Sequence, residues 1–185
     1  MTKIFQLLLV VFVLVACSEG NKKTDAVAET TNNKTVENPI TGTESDPAIP
    51  TYDYAALEKE FFAEKGNPIY VVNFWATWCK PCVKELPAFE KLQAKYRNEN
   101  VEVVLVSLDF PDHIETRVVP FIAEHGLKSR VVLLDDPDAN SWIPAVDKEW
   151  SGAIPATVIL KNGERKFYER SFTYEELENE LKSIL

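Results

Sequence analysis

Two cysteines three positions apart carry the clearest chemistry in this 185-residue chain: Trp78-Cys79-Lys80-Pro81-Cys82. Thiol–disulfide exchange needs a thiolate, an accessible sulfur, and a second sulfur that can close on the mixed intermediate. At an unperturbed pKa of about 8.5, only about 3% of a thiol is ionised at pH 7; a pKa of about 7 raises that to about half. A helix N-terminus brings about such a shift, because its free backbone N–H groups and partial positive charge favour an anion. The sequence after Cys79 predicts such a helix, with Val83, Leu86, Phe89, Leu92 and Tyr96 recurring along one face. Cys79 would sit at its start. Cys82 would lie on the same side of the first turn, where it can attack a mixed disulfide formed by Cys79. Lys80 adds a positive charge, and Pro81 suits a first-turn position where no backbone donor is missed.

Three other readings of the pair stay open at this point. A purely structural disulfide closing so short a loop would remove only about 2 kcal/mol of chain entropy, against about 3 for a fifteen-residue loop. A zinc site normally takes four ligands, and His113 and His125 are not at ligand spacing, so no metal is assigned. Two unreactive buried thiols are the third. Elsewhere, Asp135-Asp136 and Glu175-Glu176 show no sign of shared acid–base work, and there is no Gly-rich phosphate loop. His113 and His125 read as surface helix residues. Trp75 and Trp78 read as lining the site, Trp142 and Trp150 as packing.

The elements that must hold the cysteines follow from pattern. Tyr54, Leu57, Phe61 and Phe62 recur at near-helical spacing, and Gly66-Asn67-Pro68 stops that helix. Ile69 to Phe74 is a short apolar run rich in β-branched and aromatic residues, which predicts a buried central strand leading to the cysteines. Pro87 lies inside the cysteine-bearing helix and should kink it. Strands are expected at Val101–Leu108, Val131–Leu134, Pro155–Leu160 and Glu164–Arg170, with Lys161-Asn162-Gly163 as a hairpin turn. A helix is expected at about Asp112–Glu124, interrupted in some way by Pro120. Asp138–Val146 reads as a loop or short helix. A terminal helix over Thr173–Leu185 would be capped by Thr173 and have Glu175 and Glu176 in its first turn. Strands alternating with helices imply parallel pairing, and the late hairpin adds antiparallel strands, so the class is α/β with a mixed sheet.

The N-terminal region reads differently. Lys3 precedes an apolar run from Ile4 to Ala16 that is too short to span a bilayer, which takes about 20 residues. It has the length of a secretory signal. Leu14-Val15-Ala16-Cys17 closes it in the manner of a bacterial lipoprotein signal, with Cys17 as the lipidation site; an ordinary signal peptide is the alternative. Acyl chains contribute about 0.8 kcal/mol per buried methylene, enough for several to hold a protein at a membrane. Ser18 to Pro50 has no aromatic residue and is rich in Thr, Asn, Glu and Lys, the composition of a flexible linker. A coil of that length has an end-to-end distance of about 30 Å. The organisation is therefore signal over 1–16, lipidated cysteine and linker over 17–50, and one folded domain over 51–185. With Cys17 lipidated, Cys79 and Cys82 are the remaining thiols, in an oxidising compartment where disulfides persist. The formal charge of −9 argues against non-specific nucleic-acid binding, which needs a basic surface.

Phe74-Trp75-Ala76-Thr77-Trp78-Cys79-Lys80-Pro81-Cys82 resembles the active site of the thioredoxin superfamily, and Ala153-Ile154-Pro155-Ala156-Thr157 resembles its cis-proline loop. The likeness covers about residues 51–185 and is strongest to the exported TlpA/ResA-like branch. It implies a thioredoxin-like three-layer fold, with helices on both faces of a mixed sheet. It also implies a cis bond from Ile154 to Pro155, with Pro155 beside Cys79 and substrate backbone pairing there; Trp78, Ile154 and Pro155 are the implied substrate-binding residues. Cytoplasmic thioredoxins carry a buried Asp where this chain has Asn73, which cannot act as a base. The TlpA/ResA-like branch often carries a glutamate at the position of Glu85, and a partly buried carboxylate there could move protons near neutrality; the alternative is a solvated first-turn glutamate.

The resulting expectation is a membrane-tethered extracytoplasmic thiol–disulfide oxidoreductase of the bacterial envelope. Catalysis falls to Cys79, Cys82 and Glu85, without a cofactor. The preferred direction is reduction of protein disulfides, as in cytochrome c maturation or envelope redox homeostasis. Its partners would be protein thiols and disulfides and a membrane redox donor, and the domain is read as a monomer. The rivals are a thioredoxin-like peroxidase, whose usual Pro-x-x-x-Thr pattern is absent before Cys79, a copper-handling protein, and a non-catalytic module on the same fold.

Overall fold

The computed structural model describes residues 49–63 and 68–185. The signal, Cys17, most of the linker and the Gly66-Asn67 stop lie outside the described residues. Among the described residues, no helix is long and apolar enough to cross a membrane.

Six strands form one mixed sheet: β1 (Thr51–Tyr52), β2 (Ile69–Trp75), β3 (Val101–Ser107), β4 (Arg130–Leu134), β5 (Ala156–Lys161) and β6 (Glu164–Tyr168). Their order across the sheet is β1-β4-β3-β2-β5-β6. The β1, β4, β3 and β2 neighbours pair in parallel, while β5 and β6 are antiparallel additions. The hairpin turn between β5 and β6 has Asn162 at φ 50° and Gly163 at φ 83°. Two positive φ values in a row are what a two-residue hairpin turn demands.

The central strands are buried on both faces, which explains why they read as continuous apolar runs. Along β2, Val71 and Trp75 face one core, and Val72 and Phe74 face the other. The first core lies under α2 (Lys80–Tyr96), α3 (Val119–His125) and α5 (Tyr174–Lys182), with Leu86, Phe89, Leu92, Leu177 and Leu181 buried in it. The second lies under α1 (Tyr54–Leu57), the π-helical turn Glu58–Phe62 that continues it, and α4 (Ala139–Val146). Trp142 and Trp150 pack there, as the sequence suggests, their rings 5.5 Å apart edge to face.

The structure departs from the sequence reading in four places. β1 is a strand that pattern could not reveal, because two residues show no period. Pro50 already belongs to the sheet through its carbonyl, which accepts the Leu133 N–H at 2.9 Å. The expected helix over Asp112–Glu124 is three pieces: a 3₁₀ turn (Pro111–His113), a π-helical stretch (Ile114–Val118) and α3. Pro120 lies in the first turn of α3, directly after the π-helical stretch, so it falls where one helical form gives way to the other. The last strand ends at Tyr168, two residues early.

Thr173 caps α5 in a reciprocal arrangement: Glu176 N–H donates to its hydroxyl, and the Glu176 carboxylate accepts from the Thr173 N–H at 2.8 Å. Thr173→Ala should cost about 1 kcal/mol of unfolding free energy, read as a lower urea midpoint with an unchanged slope.

Candidate functional site

β2 delivers the chain to the end of the sheet, and a tight turn then feeds it into α2. Cys79 is the residue that caps this helix. Its backbone is extended, its carbonyl accepts the Val83 N–H at 3.0 Å, and its Sγ accepts the Cys82 N–H at 3.3 Å. Pro81 lies in the first turn, as expected. Cys79 and Cys82 are joined as a disulfide, with 5.3 Å between their Cα atoms. Cys82 is fully buried, whereas Cys79 is 5% exposed.

The Ile154–Pro155 peptide bond is cis, and the Ile154 carbonyl oxygen lies 3.8 Å from Cys79 Sγ. The loop before it is tied down twice. The Trp150 indole N–H donates to the Ala153 carbonyl at 2.8 Å. The Glu169 carboxylate accepts the Ser151 hydroxyl and the Ser151 and Ala153 N–H groups. These hydrogen bonds hold the Glu169 carboxyl below its ordinary range.

Trp78 is 57% exposed beside the disulfide. Trp75, by contrast, has no exposed surface, although it shares a buried cluster with Cys79 and Cys82. It points into the first core, fully buried against Phe121, because β2 alternation sends it to the helix side. The turn between the two tryptophans is held by Asp109, a residue with no sequence signal. Its buried carboxylate accepts the Thr77 N–H at 2.9 Å, the Thr77 hydroxyl at 2.6 Å and the Ser107 hydroxyl at 2.8 Å. Phe110 follows it and is 68% exposed on the same end of the sheet.

Glu85 is not a solvated first-turn glutamate; it is 3% exposed beneath the disulfide-bearing turn. One carboxylate oxygen accepts from Asn73 Nδ2 at 2.9 Å, and the other accepts from the Phe172 N–H at 2.8 Å. Burial pushes its pKa up to about 7, against the opposing pull of those two donors and of the Arg170 guanidinium. A groove of about 440 Å³, lined by Pro81, Lys84, Ala88, Phe172 and Tyr174 among others, reaches Glu85 from outside. Such a carboxyl can hold or release a proton near neutrality and exchange it with water.

Among the described residues, no group of three or more His, Cys, Asp or Glu could hold a metal ion. His125 stacks on Phe121 and His113 meets Phe110 edge-on.

A family model described as the AhpC/TSA family matches residues 55–164, more than half of the chain. The chain belongs to the AhpC/TSA family. Among curated proteins, it is 36% identical over 116 residues to the thiol-disulfide oxidoreductase ResA of Oceanobacillus iheyensis, covering 62% of this chain and 56% of that protein. To the thiol-disulfide oxidoreductase ResA of Bacillus anthracis it is 34% identical over 124 residues, 65% of each chain. To that of Geobacillus thermodenitrificans it is 30% identical over 135 residues, 71% of each. The chain thus spans less than two thirds of the first two relatives. Among solved structures, the thioredoxin-related protein from Neisseria meningitidis serogroup B matches with TM-score 0.55 and 24% identity, covering 63% of this chain and 84% of that one. A putative thiol:disulfide interchange protein DsbE from Chlorobium tepidum matches with TM-score 0.52 and 24% identity, covering 66% and 83%. At these identities the likeness is one of fold, and the fold is thioredoxin-like.

A glutamate whose folded pKa lies above its unfolded value binds its proton more tightly in the folded state. The folded state therefore loses stability as pH rises from the unfolded pKa to the folded one, here from about 4.5 to about 7. Relative to Glu85→Gln, the oxidised wild-type chain should lose on the order of 2 kcal/mol between pH 5 and pH 8, measured by urea unfolding at each pH.

Proposed function

We propose that this chain is a thiol–disulfide oxidoreductase acting on protein disulfides outside the cytoplasm. The observation that carries the reading is the cysteine pair at the start of α2, with Cys79 Sγ receiving a helix N-terminal N–H and lying beside the cis-Pro155 loop. The same N–H that caps the helix would stabilise the Cys79 thiolate, and burial of Cys82 keeps it for the second step. The names of the curated relatives, thiol-disulfide oxidoreductase ResA, support the same class.

In the cycle, the Cys79 thiolate attacks one sulfur of a partner disulfide; an S–S bond forms to Cys79, and the partner's other sulfur leaves as a thiolate. Cys82 then loses its proton to Glu85 and attacks Cys79. This closes the Cys79–Cys82 disulfide and releases the second partner thiolate. Two electrons have passed to the partner. The Glu85 proton leaves through the groove beside Pro81 and Lys84. A membrane dithiol donor then returns the pair to the reduced state. Trp78, Ile154 and Pro155 would take the extended partner segment, its backbone pairing along the loop edge. No cofactor enters the cycle. Cys17 would carry lipid after removal of residues 1–16, and residues 17–50 would tether the working domain, a monomer, to the envelope membrane.

Reduction of insulin disulfides by the dithiol-loaded chain tests the activity. Cys79→Ser should abolish it, and Cys82→Ser should accumulate mixed disulfides with partners. Turnover that survives Cys79→Ser would overturn the assignment. The equilibrium potential of the pair reads the direction: a value near −270 mV fits a reductant, whereas one near −120 mV would make the protein an oxidant. Radiolabelled palmitate should be incorporated by wild-type cells and not by cells carrying Cys17→Ser.

A further inference from the structure

Asn73 is fully buried in the middle of β2, where a polar side chain left unpaired costs about 1–3 kcal/mol. Its neighbours on β2 alternate between two apolar cores, and Asn73 points to the one under α2. There it meets two polar groups from distant parts of the chain. Nδ2 donates to Glu85 Oε1 at 2.9 Å and to Thr157 Oγ1 at 3.1 Å, and the Ala156 carbonyl lies at 3.5 Å. The side chain therefore spends its donors on Glu85 and Thr157.

We propose that Asn73 is a positioning residue for proton transfer by Glu85: its amide, held across the sheet by Thr157, presents an N–H to the carboxyl and sets the pH at which that carboxyl gives up its proton. This rests on the exchange reading above. Thr157 is the cross-strand partner of Asn73 in the antiparallel β2–β5 pair, so its hydroxyl is held directly opposite. Accepting one amide hydrogen, it leaves the other aimed at Glu85. A donor facing a carboxyl favours the charged form. The Phe172 N–H acts likewise on the second oxygen, and Arg170 acts by charge. Lys84 and Glu176 also line the groove that reaches the carboxyl, and Cys82 lies one turn before it on α2. Burial pushes the other way, so removing one donor hands the balance to burial. The geometry also accounts for a neutral residue here. An acid at position 73 would set two carboxyls about 3 Å apart, which cannot both ionise. In this chain the buried acid is on the helix and the strand supplies the donor.

The test is a direct titration of Glu85 by carbon NMR in the full chain labelled at glutamate, with the signal assigned by its loss in Glu85→Gln. Asn73→Ala should raise the proton affinity of Glu85 by about tenfold, the effect of losing one hydrogen bond to a charged group. Thr157→Val, nearly isosteric, should raise it less. Asn73→Asp should give two coupled titrations, one far above the usual carboxylate range. The pH–rate profile of insulin reduction should move with the titration in Asn73→Ala, and should not move when that change is made in Glu85→Gln. A Glu85 titration equal to wild type in folded Asn73→Ala overturns the proposal. Should that variant not fold, an unshifted titration in Thr157→Val overturns it. The titration reads the same whether or not the chain reduces insulin, so failure of the exchange reading would show separately, as absent turnover.

Discussion

A helix start leaves backbone N–H groups without intrahelical partners, and something must accept from them. At α2 that acceptor is a sulfur, Cys79 Sγ, which receives the Cys82 N–H. The structural need of the helix is met by this one contact, and the surroundings keep it in place. β2 sets the height at which the chain turns. Asp109, at the end of the neighbouring strand β3, takes both donors of Thr77 and fixes the turn. Leu86, Phe89 and Leu92 anchor the helix to the sheet. The cis-Pro155 loop, tied back by Trp150 and Glu169, closes the far side of the sulfur.

Below the disulfide the problem is reversed, because a negative charge must be supported where water is scarce. Glu85 has a donor for each oxygen and a groove to the outside, yet burial still outweighs them and holds its proton near neutrality. The position is a compromise between two extremes. A fully solvated glutamate would be ionised at all working pH values, and a fully sealed one could not exchange its proton. Its place on the helix is one turn past Cys82.

Much of this was legible in the chain because its causes are local. The Cys-x-x-Cys spacing, the apolar face of α2, the Asn162-Gly163 turn and the Thr173 cap each depend on residues within a turn or two of one another. Where the cause lay further away, pattern failed. β1 is too short to show a period and exists because β4 offers it an edge. Trp75 reads as lining the site, but that it does so from within the core, fully buried behind the cysteines' cluster, follows from strand alternation. Asp109 looks like any loop acid until β3 brings it to Thr77, 32 positions away in sequence.

By itself the sequence determined that two sulfurs would sit on the first turn of a helix at the end of a buried strand. Hydrophobic period, proline position and residue spacing suffice for that. It left Glu85 divided between solvated surface and buried acid, and Asn73 as no more than a missing base. Only the tertiary structure decided both, because the partners that make them act together come from α2, β2, β5 and the crossover before α5. Packing of the helices on the sheet is what brings Glu85 against Asn73, Thr157 opposite Asn73, and the Phe172 N–H over the second carboxylate oxygen.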